Sequence, residues 1–230
     1  SEYSDTTLFE AHVPVSEYEA TRYAHDTYNS QIETGHLYLL QSKHDCSSAA
    51  WSIMAIDIEA CGLTPGEFPN AEKDPILQIS MVMQNRNAAE PENSVVLSLG
   101  PREEEIDEDD FKFIQFNSEK NLLARFVRLV RTWDPDIITG WNVLNFDIKY
   151  IADRALKLGV NMVLGRNGSR IVRRCKTTHT RAHGTRVMHM CDTYGRIVFD
   201  SLNAFQRIMN EPSYKLGAVA QKHLGVGKDD

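Results

Sequence analysis

The sequence predicts an α/β layer: a mixed β-sheet flanked by helices, with a short N-terminal extension. Three observations predict it. The stretch Ile53-Met54-Ala55-Ile56-Asp57-Ile58-Glu59-Ala60 has the branched residues and alternation of a strand. Two more strand patterns, Ile76 to Met83 and Ser94 to Leu99, follow with no helix between them. The period then changes, and Leu122, Leu123, Phe126, Leu129 and Val130 recur at helical spacing, as do Ile148, Ile151, Ala152 and Ala155.

Taken in order, residues 1–52 form the extension, in which Thr7 to Val15 and Leu37 to Leu40 read as short strands and Ser16 as the cap of a short helix. The first sheet strand begins at Ile53. A Gly- and Pro-rich loop, Cys61 to Pro69, breaks it off. The next two strands complete an antiparallel meander. The acidic run Glu103 to Asp110 reads as a mobile surface loop, and Phe111 to Phe116 as an edge strand. Ser118 is placed to cap the first helix, and Asp134-Pro135 stops it. Asp136 to Gly140 is a buried strand. Asn142 to Asp147 turns into a helix whose face is Ile148, Ile151, Ala152, Ala155, Leu156 and Leu158. Arg186 to Cys191 and Arg196 to Asp200 suggest a hairpin about Thr193-Tyr194-Gly195. A helix begins near Leu202, and another runs from a Ser213 cap to Leu224, ended by Gly225.

Size and composition suit a globular protein with a substantial core: 230 residues, 42% hydrophobic and 25% charged. No apolar run is long enough to cross a bilayer, and no signal-like N-terminus is present. Cys46, Cys61, Cys175 and Cys191 lack paired spacing and read as free thiols of a reducing compartment. The net charge of −7 argues against nucleic acid, but its distribution argues for it. Between Ala155 and Cys191 there is no Asp or Glu, while Arg173, Arg174 and Lys176 are among the cations. That window is either a solvated loop or a basic face for phosphates.

The chemistry centres on carboxylates. Residues two apart on a strand share a face, so Asp57 and Glu59 project together while Ile56 and Ile58 turn into the core. Paired carboxylates repel unless a cation sits between them, and hard oxygen donors on a rigid strand suit Mg²⁺ or Mn²⁺. The plainer alternative is an edge strand showing two acids to water. Asp147 lies at a helix start just past a buried strand, where a carboxylate is also favoured by the helix dipole alone. Strand ends collect ligands in open α/β sheets, so the three acids could meet across one crevice.

At these residues the sequence resembles the exonuclease region of family B DNA polymerases, of the delta and herpesvirus types. Asp57-Ile58-Glu59-Ala60-Cys61-Gly62, Phe68-Pro69 and Asp74-Pro75-Ile76-Leu77-Gln78-Ile79 resemble its first exonuclease motif. Asp134 to Asn142 with Asn145-Phe146-Asp147 resembles the second, and Gly195 to Asp200 and Ser213 to Gly225 resemble the strand and helix beyond it. The resemblance implies a ribonuclease-H-like fold and a proofreading 3′→5′ exonuclease, within a DNA-directed DNA polymerase. It implies that Asp57, Glu59 and Asp147 ligate two Mg²⁺ or Mn²⁺ ions, and that Asn142 and Phe146 touch the 3′-terminal nucleotide. Trp141 stands where the family commonly has Tyr, and Asp200 corresponds to a structural, non-ligating aspartate. The implied partners are the single-stranded 3′ end of primer-template DNA, the remaining polymerase domains and processivity subunits, with no membrane. The implied location is the nucleus or a site of viral DNA replication.

The family's third motif, a Tyr followed four residues later by Asp, has no match: Tyr214 meets Ala218 at that spacing. Residues 53–230 are therefore expected to be an exonuclease domain cut before that motif, with weak hydrolysis or none. Residues 1–52 are expected to be an extension or the end of the polymerase N-terminal domain. The alternative function is a domain that holds single-stranded DNA, or scaffolds the polymerase, without hydrolysis. A zinc site from Cys175, His179, His183, His189 and Cys191 is disfavoured, because the spacing matches no standard finger.

Overall fold

The computed structural model describes residues 51–62, 66–85, 91–100, 111–180 and 184–226. The chain divides into two units, Ser1–Ala50 and Trp51–Asp230, and every described residue lies in the second. The expected elements before Ser52 and the acidic run at 103–110 fall outside the described residues.

The strands are β1 (Ser52–Ala60), β2 (Ile76–Asn85), β3 (Asn93–Leu99), β4 (Lys112–Phe116), β5 (Ile137–Gly140), β6 (Val172–Thr180), β7 (Gly184–Asp192) and β8 (Ile197–Asp200). The helices are α1 (Glu119–Trp133), α2 (Asp147–Leu158), α3 (Ser201–Ile208) and α4 (Leu216–Leu224). Among the described residues, six strands form one sheet in the order β4-β3-β2-β1-β5-β8, and β6 pairs only with β7. β1, β2 and β3 are the expected antiparallel meander. β4 lies parallel to β3, β5 parallel to β1, and β8 parallel to β5. This is the mixed, helix-flanked α/β sheet that the sequence predicts, in a ribonuclease-H-like order.

One face of the sheet makes the core. Met54, Ile56 and Ile58 of β1 are buried, with Ile79 and Met81 of β2 and Ile138 of β5. α1 covers β2, β3 and β4, and α2 packs on β1 and α1. α1 starts where Ser118 accepts from the Asn121 amide and stops at Asp134, whose φ of 51° is left-handed. Its Leu122, Leu123, Phe126, Leu129 and Val130 are all buried.

A buried ion pair ties the layers together. Glu119, at the start of α1, receives Arg154 Nε from α2 at 2.7 Å and the Ile76 amide of β2 at 2.9 Å. Arg154 also donates to Ala71 O at 3.0 Å, and Tyr150 Oη to Asp74 O at 3.0 Å, pinning the loop between β1 and β2. At the N-terminal ends of β5 and β8, Arg166 and Arg196 both bind the Asp134 carboxylate, at 2.9 and 2.6 Å.

Four expectations need correction. β7 pairs with β6 rather than β8, in a register that sets Cys175 opposite His189. The Thr193-Tyr194-Gly195 turn, with Gly195 at φ 84°, leads β8 into the main sheet beside β5. The basic window is accordingly in large part a strand pair, not a loop. α4 begins at Leu216 with Lys215 as its cap, and Ser213 Oγ instead accepts from the Lys215 amide at 3.4 Å. Leu156 of α2 is 78% exposed, because it falls outside the stripe set by Ile148, Ile151 and Ala155.

Candidate active site

The site forms where β5 ends before β1 does. β5 pairs with β1 only from Ile53 to Ala55, and past Gly140 its chain turns away. β1 runs on to Ala60, and beyond Ala55 its edge meets Gly140 at Ile56 and Asp147 at Ile58. Gly140 is needed at this crossing, since a Cβ there would lie 2.6 Å from Ile56 O.

The turn is closed by its own residues. Asn142 adopts φ 65°, a left-handed conformation that Asn tolerates better than most residues. Its carbonyl accepts from the amides of Asn145 and Phe146 at 3.1 and 3.0 Å, and its side-chain oxygen from Asn145 Nδ2 at 2.8 Å. Val143 is fully buried beneath. Trp141 Nε1 donates to Tyr214 O at 3.1 Å, and its ring centroid lies 5.7 Å from that of Phe205.

The turn delivers Asp147 to β1. The Ile58 amide, left without a β5 partner, donates to Asp147 Oδ1 at 3.0 Å. Asp147 is buried, whereas Asp57 and Glu59 are exposed on the face of β1 opposite Ile56 and Ile58, as the alternation predicts. Burial, and then the negative charge of Asp57, push the Asp147 carboxyl up to about 7. Asp57 and Asp147 thus act on each other electrostatically at the same end of β1. Among the described residues no group of three His, Cys, Asp or Glu side chains is gathered closely enough to hold a metal ion. The donor set suits a hard divalent cation: oxygen donors only, one of them buried and raised by that burial and then by the charge of Asp57.

Around the acids, the Phe146 ring packs edge-on against Phe68 at 5.4 Å and lies 5.6 Å from Tyr150. Phe68 is 78% exposed, an aromatic beside Phe146 that sequence reasoning quoted only as part of a motif. Asp200, the last residue of β8, accepts from Leu144 N at 3.1 Å and from Asn203 N at 3.2 Å.

The basic candidates lie on β6. Arg173 pairs with Asp153 of α2 at 2.6 Å, which holds the hairpin against the helix, and Arg174 pairs with Asp192 at 2.8 Å. Lys176 is exposed on the same strand. A cleft of about 130 Å³ opens between hairpin and helix, lined by Leu144, Ile148, Lys149, Arg173 and Cys191 among others. The Cys191 thiol is pushed up to about 11, first by burial and then by Asp192. His183 falls outside the described residues. Cys61, Cys175 and Cys191 are free.

A family model described as DNA polymerase family B, exonuclease domain, matches residues 12–219. The chain is 38% identical over 180 residues to the DNA polymerase delta catalytic subunit of Caenorhabditis elegans, covering 77% of this chain and 16% of that protein. It is 31% identical to the subunit of the same name from Dictyostelium discoideum, over 95% of this chain and 20% of that one. The Schizosaccharomyces pombe subunit gives 31% identity at the same two coverages, 95% and 20%. The chain therefore spans no more than 20% of the length of these relatives. No described helix is long and apolar enough to cross a membrane.

Proposed function

The chain belongs to the exonuclease-domain family of the family B DNA polymerases, and on that premise we propose that it binds the single-stranded 3′ end of DNA and hydrolyses the terminal phosphodiester in the 3′→5′ direction, as a proofreading domain. The observation that carries this reading is the Ile58 to Asp147 hydrogen bond, which seats a buried acid on the strand that bears Asp57 and Glu59. In this reading Asp57, Glu59 and Asp147 hold Mg²⁺ or Mn²⁺. Two such ions, when bound, would activate a water and neutralise charge on the departing 3′-oxygen.

The chain's own residues bind and orient the DNA. Asn142 and Phe146 present a polar edge and an aromatic edge from one rigid turn to the terminal nucleotide. Phe68 extends the aromatic surface, which suits stacking of an unpaired base. Arg173, Arg174 and Lys176 supply positive charge for the backbone. Residues 53–230 are the exonuclease domain in this reading, and 1–52 an extension or the end of the polymerase N-terminal domain. The domain acts with other polymerase domains and processivity subunits on primer-template DNA, in the nucleus or at a site of viral replication.

A second reading, binding of single-stranded DNA without hydrolysis, is favoured by one observation: the described acids do not close into a three-ligand cluster. Incubation with 3′-labelled single-stranded DNA and Mn²⁺ tests both readings. Slow release of the terminal nucleotide, abolished in Asp57→Ala, supports the nuclease. Salt-sensitive binding with no release, unchanged in Asp57→Ala, supports the binding domain.

A further inference from the structure

The turn carrying Asn142, Phe146 and Asp147 is gripped from both neighbours of β5. On the β1 side the grip is the Ile58 amide on Asp147. On the β8 side it is Asp200. Gly140 and Asp200 are register partners at the ends of their parallel strands, so the Asp200 carboxylate lies beside the point where β5 gives way to the turn. Its Oδ2 accepts from Leu144 N at 3.1 Å, midway between Asn142 and Phe146, across 56 positions of sequence. Its Oδ1 accepts from Asn203 N at 3.2 Å and caps α3. The side chain is 5% exposed, so both bonds are shielded from competing water.

A cap needs one oxygen, and Ser or Asn would serve as well as Asp. The second oxygen is committed to the turn. We propose that Asp200 is a positioning residue: it locks the Leu144 backbone so that the turn presents Asp147 to the β1 carboxylates. The role rests on the metal reading of the site proposed above. Each of its oxygens is held by a backbone N–H, one from the turn and one from α3.

The test separates capping from positioning. In Asp200→Ser the hydroxyl can cap α3 but is too short to reach Leu144 as well. In Asp200→Glu the negative charge is kept, but the longer side chain carries the carboxylate past the Leu144 amide. Mn²⁺ binding to the 230-residue chain is measured by electron paramagnetic resonance, alongside thermal unfolding. The expected result is Mn²⁺ affinity at least about tenfold weaker in both variants, a typical loss when a group supporting the ligands is removed, with the unfolding midpoint of Asp200→Ser near wild type. Wild-type affinity in either folded variant would overturn the proposal. The metal reading is checked separately: it fails if the wild-type chain binds no Mn²⁺, or binds it equally well in Asp57→Ala.

Discussion

The amide of Ile58 and the carboxylate of Asp147 are joined at 3.0 Å although they are 89 positions apart. The bond exists because β5 pairs with β1 only as far as Ala55, leaving the rest of that β1 edge to other partners. One consequence is chemical. A helix-start acid is drawn into the sheet beside Asp57, where burial and charge act on it together.

Stability should depend on pH through Asp147. Its carboxyl is raised from 3.8 to about 7 on folding, by burial first and by Asp57 second. The unfolded chain gives up this proton at lower pH than the folded one. The contribution is therefore fully present below about pH 4 and falls away as pH rises to about 7, by an amount on the order of 4 kcal/mol. Urea unfolding in EDTA should show this decline in the wild type and a flatter profile in Asp147→Asn. Mn²⁺ added at about pH 8 should restore stability to the wild type alone.

Gly140→Ala should disturb fold and site together. The added methyl would sit 2.6 Å from Ile56 O, and backbone on both sides leaves little room for relief. A loss of about 1–3 kcal/mol in urea unfolding is expected. The same variant should bind Mn²⁺ more weakly, since β1 must move away from the turn.

Arg154→Met should be among the most destabilising single changes in the helical layer. It leaves the Glu119 carboxylate, 8% exposed, without its cation. Removing one partner of a buried pair costs about 3–5 kcal/mol. Glu119→Gln should cost a similar amount, because it keeps an acceptor for the Ile76 amide but leaves the buried Arg154 cation without its counter-charge.

Lys176→Ala should weaken single-stranded DNA binding without loss of stability. The side chain is exposed on β6. If it contacts a phosphate, the slope of log K against log salt should become shallower by about 0.7. Arg173→Ala should lower stability as well, because Arg173 also pairs with Asp153.

Much of this was legible in the sequence where the signal is local. The alternation at Ile56 to Glu59 correctly divides the buried from the exposed face of β1, and Ser118 with its downstream leucines defines α1. What failed was pairing. Gly195 does make a turn, but turn chemistry says nothing about whether the next strand folds back or crosses to β5. The reach of Asp200 to Leu144 was invisible for the same reason, since it depends on β8 lying beside β5. At Ser213 a favourable cap residue lost to the tertiary path, and the helix starts at Leu216.

The most direct test of the central claim is a crystal of this chain soaked in Mn²⁺ and recorded at a wavelength where manganese scatters anomalously. The account predicts a strong peak beside Asp57 and Asp147, within coordinating distance of their carboxylate oxygens, and its loss in Asp57→Ala. An ordered Asp57 and Asp147 with no peak between them, or a peak bound elsewhere with these acids untouched, would contradict it.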